Sequence, residues 1–518
     1  MMTTRRQIIL CGAALASAPF LPPFAFAADR DTMRVAIKKP SGDLDLAKYL
    51  ALWGVQDMIF DPLIRYGEGG KTEPALAESW KVSDDAKSCE FKLRRNVTFS
   101  DGSPWNTDVA KWNFERWIGK PDHSWLAVSN FFDHLDIADE SRLTLHFKEP
   151  VPMVLAQLAI VRPVRFMSPT SVAADGSFKA PIGTGAWVVE KNDDVSTILS
   201  RNEKYWGTKP AFQKVELLVM PDPRSRVDAL RSDGLDVTGG ALMAPLSPQD
   251  AITLTSAGMG VTKGPGTDTM VLGFNPARDI FKDVRVRQAI NVLIDRKAIC
   301  EKLLFGYAEP TQNLFPAVIP SSGKRIEVLA RDVEKAKSLL TEAGWTGDGT
   351  RQKDGKPLAL ELVISEEAAP GARALGEVIQ SELAEVGFDV KLKLVDHISK
   401  HNDIPNGLYD MTIFITNGAP YDPYSSISLF FLSTVTGGTD GKMWTDAAAL
   451  DPLVLSALSA SDVDRDAAYQ RVYDWLEENH AIAPIYNASR IWAHGPHVEG
   501  FAIPPTEYEL PFSGISLK

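Results

Sequence analysis

The stretch IVRPVRF, residues 160–166, sets Arg162 and Arg165 in an otherwise apolar run. A guanidinium keeps its charge at every working pH. Stripping a buried one of its partner costs about 3–5 kcal/mol, so each arginine here calls for something to meet. Pro163 and Pro169 disfavour a helix, and the segment is predicted to be extended. Residues three apart on an extended chain face opposite sides. The two arginines are therefore expected to do different work.

Other chemistry is sparse. The chain has no G-x-S-x-G elbow, no H-E-x-x-H and no phosphate loop. GGTDGKM (437–443) resembles a phosphate loop but lacks its spacing and its final Ser or Thr. The eight histidines are scattered. His397 and His401 lie in the polar run DHISKHND, which reads as solvated. His494 and His497 flank Gly495-Pro496, a turn with no third ligand near in sequence. No catalytic or metal site is legible from spacing alone, and no cofactor is expected.

The N-terminus reads as an export leader. Arg5 and Arg6 precede an apolar run from Ile8 and a small-x-small end at Ala25-Phe26-Ala27. The adjacent arginines point to the twin-arginine route, with the general secretory route as the alternative. Residues 1–27 are thus expected to be removed, leaving a periplasmic protein that begins near Ala28. Loss of the two arginines takes the net charge from −12 to −14. That balance argues against a nucleic-acid partner. Cys89 and Cys300 then remain, and are expected as buried free thiols; a single bridge is the alternative.

Some 490 residues exceed one ordinary core, so two or more lobes are expected. The first half reads as β-rich. CEFKLR (89–94) and RLTLHFK (142–148) alternate like half-buried strands, SDGSPW (100–105) is a turn, and Asn106 or Thr107 caps a helix through DVAKWNFERW. KVELLV (214–219) is a further strand. The second half reads as α/β. Helical spacing runs from Val284 to Gly306, and again from Asp332 to Gly344. LALELVI (358–364), a helical face at Leu375, Ile379 and Leu383, and FDVKLKLV (388–395) form a βαβ unit, which implies a parallel pair. YDMTIFIT (409–416) adds a strand.

Read in order, FSDGSPWNTDVAKWNFERW, APIGTGAWVV, RNEKYWG, VRQAINVLIDRKAI and EKAKSLLTEAGW resemble the peptide/nickel/opine family of periplasmic binding proteins of ABC importers. The resemblance spans nearly all of the chain after the leader. It implies an α/β fold of two lobes with an extra β-rich subdomain. Two crossovers, near 270–276 and 483–487, would hinge the lobes, with ligand enclosed between them. Lobe I would comprise 28–272 and 486–518, and lobe II 273–485.

Within that family, RPVRFMSP (162–169), GAPYDPY (418–424), YELPFSGI (508–515) and HSWL (123–126) resemble the nickel-importer branch, which holds a metal through a small carboxylate-rich chelator. The resemblance puts Arg162 on the chelator carboxylate, where a planar fork suits bidentate binding. Arg165 would make a structural ion pair. Trp125 and Tyr421 would wall the ligand, with core packing as the competing role for each. Tyr49, Trp53 and Tyr508 fall near the cleft.

Three departures from that branch stand out. Asp122 replaces an arginine three residues before Trp125, Asn417 replaces a tryptophan, and the loop 432–444 lacks the metal-contacting histidine. These changes favour a ligand with less negative charge, or one carrying an amine. His123 is a candidate substitute ligand to the metal. The implied function is capture of a metal chelate and delivery to an inner-membrane ABC permease by a monomer that does no chemistry. Short peptides, opines and amino-acid conjugates form the alternative ligand class. An exported enzyme would need a nucleophile–base pair, which the sequence does not offer.

Overall fold

The structure is a computed structural model that describes residues 31–48, 51–416, 423–433, 447–461, 463–510, 512 and 514–518. Two large sheets organise it. The first has seven strands, in the order Gly260–Gly264, Arg490–His494, Val237–Gly239, Thr32–Ile37, Lys214–Val219, Ser196–Arg201 and Trp187–Asn192. Thr32–Ile37 lies parallel to Lys214–Val219, with Thr32 opposite Lys214. The second has six strands, in the order Ala308–Pro310, Ile482–Ala488, Met270–Phe274, Met411–Ile415, Ala359–Ile364 and Asp389–Leu394.

The chain therefore passes between the sheets twice. One passage lies between Gly264 and Met270, the other between Ala488 and Arg490. The strand Met270–Phe274 itself lies within the second sheet. Its side chains alternate between two cores, as a period of two requires: Met270, Leu272 and Phe274 enter one, Val271 the other.

The βαβ unit folds as its pattern predicts. Ala359–Ile364 pairs in parallel with Asp389–Leu394, with Ala359 opposite Asp389. The connecting helix Ala372–Ala384 buries Leu375, Ile379 and Leu383. Asp332 caps the helix Val333–Glu342 by accepting from Lys335 N at 2.8 Å. The helical pattern that begins at Val284, by contrast, does not run unbroken to Gly306. The helix Val284–Leu293 stops where Ile294 turns extended, and Asp295 restarts the chain by accepting from Ala298 N at 2.9 Å. The break has a tertiary cause. Arg296 is buried and donates to Pro484 O, Asn291 O and Asn291 Oδ1, while the carboxylate of Glu382 accepts from Asp295 N.

A four-stranded antiparallel sheet, in the order Ala77–Val82, Ser88–Leu93, Arg142–Phe147 and Phe132–Asp139, forms the smaller β subdomain. Its core holds Phe91, Phe99, Phe114 and Leu145, and continues to Val271, Val363 and Phe414 on the second sheet. Cys89 and Cys300 are buried free thiols, and burial pushes both up to about 12. Among the described residues, no helix is long and apolar enough to cross a membrane. Residues 1–27, expected as a leader, lie outside the described residues.

Candidate functional site

The arginine segment is fastened by the residues on its C-terminal side. Phe166 is fully buried, edge-on to Trp105 at 5.0 Å and to Phe114 at 5.4 Å between ring centres. Burial of one such ring contributes about 1.5–3 kcal/mol. Asn113 donates to Met167 O at 2.9 Å and accepts from Met167 N at 3.0 Å. Phe114 and Asn113 belong to the helix Thr107–Trp117, whose cap Asn106 accepts from Val109 N at 3.0 Å. The motif PWNTDVAKWNF thus places residues 162–167.

The segment is a run of bends, not the extended strand its prolines predict, and the Arg162–Pro163 peptide bond is cis. Both arginines reach the same element, the short helix Trp53–Ile59. Arg162 is buried, donates to Ala51 O at 2.7 Å just before that helix, and sets its guanidinium carbon 4.4 Å from the centre of the Trp53 ring. Arg165 reaches Asp57, one helical turn further on, at 2.8 Å from Nη2. Trp53 and Asp57 are four apart, so they share a helix face. The expectation of opposite-facing arginines is corrected accordingly: they diverge along one helix.

Trp53 in turn packs on Tyr508, with ring centres 4.6 Å apart and planes at 34°. Gly54 permits this. A Cβ there would lie 3.3 Å from Tyr508 O and 3.1 Å from Met243 Sδ. Arg162, Trp53 and Tyr508 therefore form one layered cluster. Cation–π contact contributes about 0.5–2 kcal/mol, more as water is excluded. It also fixes the plane of the guanidinium.

Arg165 makes the ion pair expected of it. Asp57 also meets Arg65 at 3.3 Å, and Arg65 meets Asp61 at 2.6 Å. Asp61 is fully buried and accepts further from Thr184 at 2.9 Å and from the Trp206 indole at 2.8 Å. These last two come from APIGTGAW and RNEKYWG, which gives both motifs a physical role. Gly183 is needed because a Cβ there would collide with the Ile59 carbonyl. Burial and the nearby Asp57 carboxylate push Glu509 up to about 7, against the pull of Arg65 and Arg165. Asp57, Arg65, Tyr205 and Glu509 border a cavity of about 380 Å³.

Asp122, His123 and Trp125 lie together on the turn before the helix Ala127–Asn130. Trp125 is 44 % exposed, and Asp122 is exposed. His123 is buried, edge-on to Trp117 at 6.2 Å, and burial lowers its pKa. Gln157 Oε1 accepts from Val128 N at 2.9 Å, which ties this turn to the helix Val154–Leu158 leading into Arg162. Tyr49, Asn417, Tyr421 and the loop 434–446 lie outside the described residues.

Two features went unread in the sequence. One is the Asp57–Asp61–Arg65 network, whose three members are local, four positions apart along the chain, but whose partners Arg165, Thr184 and Trp206 arrive only through the fold. The other is Asp268, on the first passage between the sheets, which burial and the neighbouring Glu507 carboxylate push up to about 8. Glu507 accepts from Thr267 Oγ1 at 2.5 Å.

Residues 71–438 match the family model of bacterial extracellular solute-binding proteins, family 5, middle region. The nickel-binding periplasmic protein of Escherichia coli K12 is 29 % identical over 471 residues, covering 89 % of each chain. A solved ABC-transporter substrate-binding protein from Sinorhizobium meliloti is 45 % identical with a TM-score of 0.85, over 94 % of this chain and 100 % of that one. NikA from Brucella suis, solved with Fe(III)-EDTA, is 29 % identical with a TM-score of 0.87 over the same shares. Haem-binding and dipeptide-binding proteins are also among the relatives. These relatives bind solutes and are not enzymes. The two-lobed architecture and the match over 71–438 agree: the chain belongs to the family 5 bacterial extracellular solute-binding proteins.

Proposed function

We propose that this protein is the periplasmic binding component of an ABC importer and that it carries a metal ion, nickel or a related transition metal, enclosed in a small carboxylate-bearing chelator. The observation that carries the reading is the Arg162–Trp53–Tyr508 cluster. A guanidinium held in plane by an indole offers a fork to a carboxylate, and the aromatic pair offers a flat apolar flank. The likeness to the E. coli nickel-binding protein and to NikA supports the same class. Trp125, Tyr421, Asn417, Asp122 and Tyr49 are assigned to the ligand wall.

The metal is cargo. With no histidine in the loop 432–444, its coordination falls to the chelator, and His123 stays a candidate ligand. Hinging at the two passages between the sheets would close the cleft and present the closed form to the permease. The second reading, a short peptide or other amino-acid conjugate, draws on Asp122, whose carboxylate suits an amino terminus.

Calorimetric titration of the exported protein with nickel premixed with excess L-histidine, with nickel alone, and with a dipeptide tests the proposal. Heat for the premixed complex that Arg162→Ala loses is the expected result; heat for nickel alone that Arg162→Ala keeps arises outside the cleft. Heat for the dipeptide alone favours the second reading and contradicts the first.

A further inference from the structure

A different part of the molecule places three metal-ligating side chains together. His134 and His146 are directly opposite each other on the paired strands Phe132–Asp139 and Arg142–Phe147 of the smaller sheet. Asp136 is two residues beyond His134 and so shares its face. The two imidazole rings are stacked, with centres 4.3 Å apart and planes at 4°. Asp136 Oδ2 lies 3.6 Å from His134 Nε2 and 3.4 Å from His146 Nε2.

Those separations are too long for good hydrogen bonds. These two nitrogen–oxygen separations match the edge of a tetrahedron around an ion with bonds of about 2.0–2.2 Å, roughly 3.4 Å; the stacked rings must turn about their Cβ–Cγ bonds for both Nε2 lone pairs to meet one ion. The remaining nitrogen of His134 is engaged as a metal ligand's should be. Its Nδ1 is 2.9 Å from Asp133 Oδ2, the carboxylate–imidazole contact that orients a ring for metal binding through Nε2. Asp133 falls where the strand register shifts between Phe132 and His134, a bulge that re-aims its side chain.

The other such group among the described residues, Asp233, Asp236 and His497, differs in kind. Arg34 lies on both of its carboxylates, at 3.2 and 2.7 Å, and supplies the positive charge an ion would bring. Around His134 and His146, the described ion pairs of Asp136 are with these two histidines alone.

We propose that His134, His146 and Asp136 form a surface site for a divalent transition-metal ion of the zinc–nickel class, open to water in its remaining positions and separate from the cleft. Two imidazoles and one carboxylate favour that class over magnesium or calcium. The site does not depend on which solute the cleft carries.

The test is a titration of the untagged exported protein with Zn²⁺ alone, against a chromogenic competitor chelator. One equivalent bound with micromolar affinity is expected. His134→Gln and His146→Asn should each weaken that binding at least tenfold, with thermal melts in chelator-containing buffer showing that both remain folded. Arg162→Ala should leave it unchanged. His134 is exposed, so His134→Gln alone decides the matter if His146→Asn does not fold. Absence of Zn²⁺ binding, or equal binding in wild type and His134→Gln, overturns the proposal.

Discussion

The guanidinium carbon of Arg162 lies 4.4 Å above the ring of Trp53, a residue far away in sequence, and Trp53 rests on Tyr508 from near the other end of the chain. The contact couples one cation to the wall that surrounds it. Arg162→Ala is predicted to weaken ligand capture by roughly 2–5 kcal/mol. Trp53→Leu should cost less, about 1–2 kcal/mol, because it removes the ring under the guanidinium but leaves the charge. Arg162→Lys should not rescue the alanine variant fully, since an ammonium lacks the planar fork. Titration calorimetry on the three variants, with melting temperatures as the folding control, checks the ranking.

Arg165 is predicted to behave in the opposite way. It donates to Asp57 at 2.8 Å and to the carbonyls of Ala159, Ile160 and Val164. Burial lowers its pKa and the Asp57 carboxylate opposes that shift. Arg165→Ala leaves Asp57 with Arg65 alone and strips three backbone carbonyls of their donor, with an expected loss of about 1–3 kcal/mol of folding stability. Denaturant unfolding reads this directly. Equal stability of variant and wild type would remove Arg165 from the structural frame.

The acid at the first passage between the sheets makes a pH prediction. Asp268 is raised from its ordinary 3.8 to about 8 by burial and by Glu507. Between those values the folded chain holds a proton that the unfolded chain releases. Its contribution to stability is therefore fully present below about pH 4 and is lost as the pH rises through 8. Asp268→Asn removes the titration. The variant should gain on wild type progressively from pH 5 to 8, by about 1–2 kcal/mol after allowance for solvent at this half-buried group, and no further above that. Urea titrations at pH 5, 6.5, 8 and 9 give the curve. A difference that stays flat across this range contradicts the assignment.

Local pattern carried most of the fold, and distance in sequence decided what it missed. Asn106 and Asp332 are caps with helical spacing behind them, and the βαβ unit alternates over short segments, so each was legible from its neighbours alone. The break at Ile294 was not, because its cause is Arg296 meeting Pro484 and Glu382 meeting Asp295 across the lobe. The two arginines were legible as anomalies. That they reach Trp53 and Asp57 of one helix was not, since 108 residues separate Arg165 from Asp57. His134 and His146 read as scattered histidines for a similar reason. Only the register of their strands sets them opposite one another. Arg162, Trp53 and Tyr508 were placed near a ligand by family resemblance, not by spacing.

Native mass spectrometry of the protein, purified from its host without unfolding and paired with elemental analysis, is the decisive measurement for a chelate held by Arg162. One bound mass per chain is expected, made of an organic chelator and one equivalent of nickel or a related transition metal, reduced or absent in Arg162→Ala and retained in His134→Gln. A metal-free series of bound masses spaced by amino-acid residues would refute the chelate reading, and would make this family member a peptide carrier.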